Sequence, residues 1–218
     1  MCIDKPESDP LILTLPNTRW DQNAEDNTGA IEALEQGKVL FLPHLTFELS
    51  EQEKQLLDPT LVDVKRKNIS FKPLEGVLTG VTDASKIALT RQLLDRYYQS
   101  CLSLVQQLLP VYTHALHSPT NSLRLHPVAA WRDSTSWRKD DSRLHVDAFP
   151  SRPNYGERII RIFTNINPHG EARSCVSVKI LHNLPAAICH NWIAIHRSAV
   201  GCNIKSVSPS APVAITTI

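Results

Sequence analysis

The stretch from Asp83 to Leu109 constrains the fold more than any other part of the chain, because its apolar residues repeat at helical spacing without interruption. Ile87, Leu89, Leu93, Leu94, Tyr97, Tyr98, Leu102, Val105, Leu108 and Leu109 line one side. Pro110, which has no amide hydrogen to donate, stops the run. A helix with so long an apolar stripe has to bury it, so this aromatic and leucine face is expected to be core rather than a cofactor-binding surface.

Shorter elements come before it. Ile31 and Leu34 sit at helical spacing between Asn27 and Gly37, and Gly37 is placed to end that helix before Lys38. Val39-Leu40-Phe41-Leu42 reads as a compact buried strand closed by Pro43. Ser50 followed three residues later by Glu53 is a capping-box pattern, opening a brief helix that runs through Leu56 and Leu57 to Asp58-Pro59. Lys65-Arg66-Lys67 is a basic cluster with two readings, a solvated turn or a contact with an anionic substrate.

Further on, Ile160, Ile162 and Ile166 alternate with Arg161 and Asn165, which suits a half-buried strand enriched in β-branched residues. Helices first and strands later predict an α+β protein or a helix-buttressed β-barrel. At 218 residues the chain is sized for one well-buried domain. Its formal net charge of +1 supplies no global attraction to nucleic acid, and no convincing local patch replaces it. The longest apolar runs fall far short of the roughly 20 residues a membrane helix needs. The N-terminus, Met1-Cys2-Ile3-Asp4-Lys5-Pro6-Glu7, is acidic and proline-containing, unlike a secretory signal, which predicts a cytoplasmic protein. Cys2, Cys101, Cys175, Cys189 and Cys202 form no CxxC pair and are expected to be reduced thiols.

The chemistry concentrates in Leu144-His145-Val146-Asp147-Ala148-Phe149-Pro150. A histidine and an aspartate two apart on an extended segment project to the same side, so His145 and Asp147 can address one cation. They make two-thirds of a 2-His-1-carboxylate triad, the set that leaves open positions at Fe(II). By itself the pair is weak, since a surface histidine beside a turn-forming aspartate has the same spelling.

The wider stretch from Arg138 to Pro153, RKDDSRLHVDAFPSRP, resembles the Kdo hydroxylases, bacterial Fe(II)- and 2-oxoglutarate-dependent dioxygenases of lipopolysaccharide modification. Further matches are Leu34 to Pro43, Lys67-Asn68-Ile69-Ser70 and Arg161 to Pro168, and the resemblance runs from about Trp20 to Arg173. It implies a double-stranded β-helix, a jelly roll, with an N-terminal helical layer, and His145 and Asp147 as iron ligands. It implies 2-oxoglutarate as co-substrate, with Arg158 and Arg161 candidates for its carboxylates. Arg138, Lys139, Arg143 and Arg152 become candidates for the anionic sugar acid of Kdo-lipid A, since basic side chains suit such groups, while an ion pair is the structural alternative for each. The glycolipid substrate further implies peripheral contact with the inner face of the inner membrane. A non-enzymatic module holding an anionic glycolipid through residues 65 to 67 and 138 to 143 is the reading from another class.

The family's second histidine and its 2-oxoglutarate arginine are expected beyond Arg173. From Ser174 to Ile218 there is no Asp or Glu, although the chain holds 22, and three of the five cysteines fall there. Codons for Ser177 to His196 can be chosen so that the frame starting one base earlier encodes a charged amphipathic peptide. Together these predict a frame shift near residues 173 to 176. The expected organisation is a flexible N-terminus (1–19), the N-terminal part of a dioxygenase domain (20–173), incomplete at its C-terminal side, and an out-of-frame, poorly ordered tail (174–218). On that reading the chain is an inactive fragment of the enzyme. His182, His190 and His196 are the tail's candidates for a third ligand, and Arg197 its candidate for the arginine, with incidental residues the alternative.

Overall fold

The computed structural model describes residues 12–23, 27–126, 158–167, 191–195, 200–202, 204–206 and 213–215. Its first half follows the local signals closely. After β1 (Ile12–Thr14), α1 spans Asn27–Glu35 and buries Ala30, Ala33 and Leu34. Gly37 ends it at φ +78°, a left-handed value that suits glycine. The amides of Gly37 and Lys38 donate back to Leu34 and Ala33 at 2.9 and 2.8 Å, the two bonds of a Schellman motif. The chain is thereby turned directly into β2 (Val39–Phe41).

The α2 helix (Glu51–Lys54) carries the capping box read from Ser50 and Glu53. Glu53 N–H donates to Ser50 Oγ at 3.2 Å, and Ser50 N–H donates to a Glu53 carboxylate oxygen at 2.8 Å. A 3-10 turn at Pro59–Leu61 leads to the hairpin of β3 (Ile69–Lys72) and β4 (Val77–Thr79).

The long helix α3 spans Ile87–Leu108. It begins later than the apolar pattern suggests, because Asp83 caps a separate 3-10 turn at Ala84–Lys86 through Ser85 N–H. The buried line runs Thr90, Leu94, Tyr97, Cys101, Leu104 and Leu108, flanked by Leu93 and Val105. Ile87, three residues before Thr90, continues this line but is exposed at the helix's first position, and Leu102 is half-buried. Pro110 opens a further 3-10 segment, Pro110–Ala115, before β5 (Leu116–Pro119) and β6 (Asn121–Leu123).

The remaining strands are β7 (Arg158–Thr164), β8 (Asn191–Ile195), β9 (Val200–Cys202), β10 (Ile204–Ser206) and β11 (Val213–Ile215). Together the strands form one mixed sheet whose main path is β1-β2-β8-β7-β9-β6-β3-β4. β7 runs parallel to β8 and β11 and antiparallel to β9. The architecture is α+β, as the element order predicts. β8 and β9 flank β7 on its two sides.

α3 packs on the sheet, and its core reaches Ile69 and Phe71 on β3, Leu123 on β6 and Ile160 and Ile162 on β7. Tyr97 is fully buried at the centre. Trp20 and Phe47 meet its ring edge-on, with centroids 5.9 and 5.1 Å away, a favoured aromatic arrangement. Its hydroxyl lies 3.0 Å from Thr164 Oγ1 and donates to the Ile162 carbonyl at 3.3 Å, fixing α3 to β7. Asn121, also buried, donates to the Leu94 carbonyl at 2.7 Å and joins the helix to β6.

Candidate functional site

β7 is buried more deeply than the half-buried strand expected of it: Ile159, Ile160, Arg161, Ile162 and Thr164 are buried, while Phe163 and Asn165 are half-buried. Side chains alternate along a strand, so Ile160, Ile162 and Thr164 share the face turned to Tyr97 and α3. Ile159, Arg161, Phe163 and Asn165 belong to the opposite face, and Ile159 stands outside the cluster that α3 organises. The strand thus separates a hydrocarbon core from a second face that carries a buried guanidinium.

Arg161 is 2% exposed, and burial alone lowers its pKa to about 10. At neutral pH it remains cationic, and a desolvated guanidinium interacts with anions more strongly than a hydrated one. Its planar fork matches a carboxylate in two parallel hydrogen bonds. Of the residues singled out from the sequence for chemistry, Arg161 is the one the structure places on such a face. Arg158 opens the same strand. His145, Asp147, Arg138, Lys139, Arg143 and Arg152 lie outside the described residues. Among the described residues, no three His, Cys, Asp or Glu side chains are grouped to hold a metal ion.

A second charged arrangement, not foreseen from the sequence as a unit, joins α3 to α2. Arg96 Nη2 donates to both carboxylate oxygens of Glu53 at 2.9 and 2.8 Å and to the Glu48 carbonyl at 3.0 Å. The guanidinium also sits 4.1 Å from the centre of the Phe47 ring. Glu48, Glu53 and Arg96 border an open cleft of about 450 Å³ with Gln52, Leu89 and Gln92. The charges are consumed internally, so the arrangement is a clasp between α2 and α3. Only the pairing of Ser50 with Glu53 was visible locally; Arg96 is too distant in sequence to have been joined to them.

Burial works against the charge on Glu53, but the Ser50 N–H and Arg96 outweigh it and hold the carboxyl below its usual 4.5. A depressed folded-state pKa contributes stability above the unfolded value and loses it as pH falls through the folded one. Thermal stability is therefore expected to decline on acidification below about pH 4.5. Glu53→Gln should lower stability near neutrality and flatten that part of the profile, as measured by melting temperature against pH. An unchanged slope in the variant would assign the acid sensitivity to other carboxylates.

The model of the 3-deoxy-D-manno-oct-2-ulosonic acid (Kdo) hydroxylase family matches residues 17–182. The chain belongs to the Kdo hydroxylase family. The match begins before and ends after the span from Trp20 to Arg173 that carries the resemblance in sequence. Among solved structures, the chain is similar to the Kdo hydroxylase KdoO in complex with cobalt(II), described as a non-heme Fe(II) alphaketoglutarate dependent dioxygenase. That likeness has a TM-score of 0.68 and 41% identity, over 74% of this chain and 55% of the other. KdoO in complex with alphaketoglutarate and Fe(III) matches at 41% identity and a TM-score of 0.67, over 74% and 54% of the two chains. The succinate and Fe(III) complex matches at 40% identity and a TM-score of 0.66. The chain spans a little over half the length of these relatives. No curated protein matches it.

Proposed function

We propose that the chain is an Fe(II)-, 2-oxoglutarate- and O2-dependent hydroxylase acting on the Kdo sugar of Kdo-lipid A. The observation that carries this reading is the 41% identity to KdoO structures holding a metal and alphaketoglutarate, joined to a buried arginine on the second face of β7. The corresponding fold is the double-stranded β-helix, of which β7 would be an inner strand.

Fe(II), with 2-oxoglutarate and oxygen, supplies the oxidising chemistry when bound. The protein's share is orientation and exclusion of water. His145 and Asp147, two apart, would ligate the metal through an imidazole nitrogen and a carboxylate oxygen. Arg161 would hold a 2-oxoglutarate carboxylate from the second face of β7, and Arg158, the first residue of the strand and of opposite alternation, would reach the co-substrate only around the strand's end. Arg138, Lys139, Arg143 and Arg152, clustered around the ligand pair in sequence, would receive the sugar carboxylate and the phosphates of the glycolipid. That substrate places the chain beside the inner membrane, and among the described residues no helix is long and apolar enough to cross one.

Succinate release tests the proposal. With Fe(II), 2-oxoglutarate and Kdo-lipid A, the chain is expected to form succinate in step with hydroxylated sugar, and His145→Ala should abolish both. Absence of turnover together with absence of 2-oxoglutarate binding would refute it.

A further inference from the structure

Val64 is 85% exposed, more than any other large apolar residue among those described. A lone exposed valine is ordinary. Its setting is not, because the turn that holds it out is fixed at several points. Asp63 N–H donates to the Gly80 carbonyl at 2.9 Å, and Arg66 N–H donates to the Asp63 carbonyl at 2.8 Å. Lys65 N–H donates to the Asp63 carboxylate at 2.8 Å, and Val62 bridges Val81 just outside the turn. Gly80, at φ +93°, lets the strands close: a Cβ there would lie 2.9 Å from the Asn68 carbonyl and 3.1 Å from Arg66 Cδ. Val64 therefore cannot withdraw without breaking this frame.

Three cations follow it in the chain, Lys65, Arg66 and Lys67. Lys65 and Arg66 are exposed, and neither has a carboxylate partner for its side chain among the described residues. Arg66 donates to Thr79 Oγ1 at 3.3 Å, which directs it along the rim of β4, the last strand of the sheet path. The one acid in the turn, Asp63, has an oxygen committed to Lys65 N–H. The loop thus presents an apolar tip with a basic collar and no aromatic residue on which a nucleobase could stack.

We propose that residues 63–67 are a docking surface for a phosphate-bearing, anionic lipid layer. Val64 enters the apolar boundary while Lys65 and Arg66 meet phosphate oxygens. Only the identity of that lipid as a Kdo-bearing glycolipid rests on the proposed function; the surface itself stands on the turn.

Sedimentation of the full chain with vesicles tests it. Binding is expected to phosphatidylcholine vesicles containing phosphatidylglycerol, to be weak to phosphatidylcholine alone, and to fall as salt is raised. Lys65→Glu with Arg66→Glu should lower the partition coefficient roughly tenfold or more, at about one cationic contact's worth per residue. Val64→Asp should lower it while leaving the melting temperature unchanged, which separates lost docking from lost folding. Equal binding to neutral vesicles, an unaffected double variant, or displacement by millimolar inorganic phosphate with no dependence on Val64 would overturn the surface. So would retention on single-stranded DNA without vesicle binding. Vesicle binding in a chain that neither binds 2-oxoglutarate nor forms succinate would refute the proposed function and leave the surface standing; turnover on detergent-dispersed substrate without vesicle binding would do the reverse.

Discussion

Arg161→Met is expected to weaken 2-oxoglutarate binding by at least about thirtyfold, because truncating one partner of a desolvated, hydrogen-bonded charge pair costs roughly 2 kcal/mol or more. Titration calorimetry under anaerobic conditions, with cobalt(II) in place of iron, would read the loss without requiring turnover. Arg161→Lys should recover only part of it. Lysine offers a point charge in place of a planar fork, and its strongly hydrated ammonium gives up its proton more readily when buried. Arginine keeps its charge there even with its pKa lowered to about 10, so wild-type affinity should hold across neutral pH and fall only in strongly alkaline solution. An Arg161→Met protein with unaltered affinity would move the carboxylate partner off β7 and leave Arg161 a structural cation.

Tyr97→Ala should have the largest effect on folding. Truncating a fully buried aromatic costs about 3 to 5 kcal/mol in the transfer and cavity terms together, against a total stability typically of about 5 to 15 kcal/mol. The loss here has three parts: the edge contacts with Trp20 and Phe47, the bond to the Ile162 carbonyl, and the bond to Thr164. A melting temperature lower by about 10 °C or more is expected, if the variant folds at all. Tyr97→Phe isolates the hydroxyl, with an expected cost of about 1 kcal/mol. Should the two variants prove equally mild, the link between α3 and β7 would be redundant and the helix held by its leucines alone.

Much of the first half of the fold was legible because its signals are local. The end of α1 at Gly37 needs only a left-handed residue and two backbone bonds, and the start of α2 needs only Ser50 and Glu53. The stripe on α3 showed that a face would be buried but set its centre imperfectly. Thr90 and Cys101 are core because of what packs on them, whereas Ile87, more apolar than either, is exposed at the helix's first position.

The reading of β7 shows where local pattern reached its limit. Alternation of isoleucine with arginine and asparagine normally describes a strand with one wet face, since charges rarely go into a core. Burying Arg161 required neighbours on both sides of β7 and cover on its second face. The neighbouring strands β8 and β9 lie far away in the chain, and no window around residue 161 contains them. The Glu53–Arg96 clasp escaped for the same reason, its two halves lying on different helices.

By itself, the sequence determined the end of α1 and the capping box of α2, a histidine and an aspartate at a spacing that can share a cation, and membership of a family through the motif around His145 and Asp147. Tertiary structure decided which cations are withdrawn from water and which are held out in it. Arg161 and Arg66 are the same residue type with opposite fates: one is desolvated on a central strand, where a carboxylate would hold it best, and the other is displayed on a pinned turn beside Val64. Charge is written in the sequence, but solvation, which sets what a charge can bind, exists only once the chain has packed.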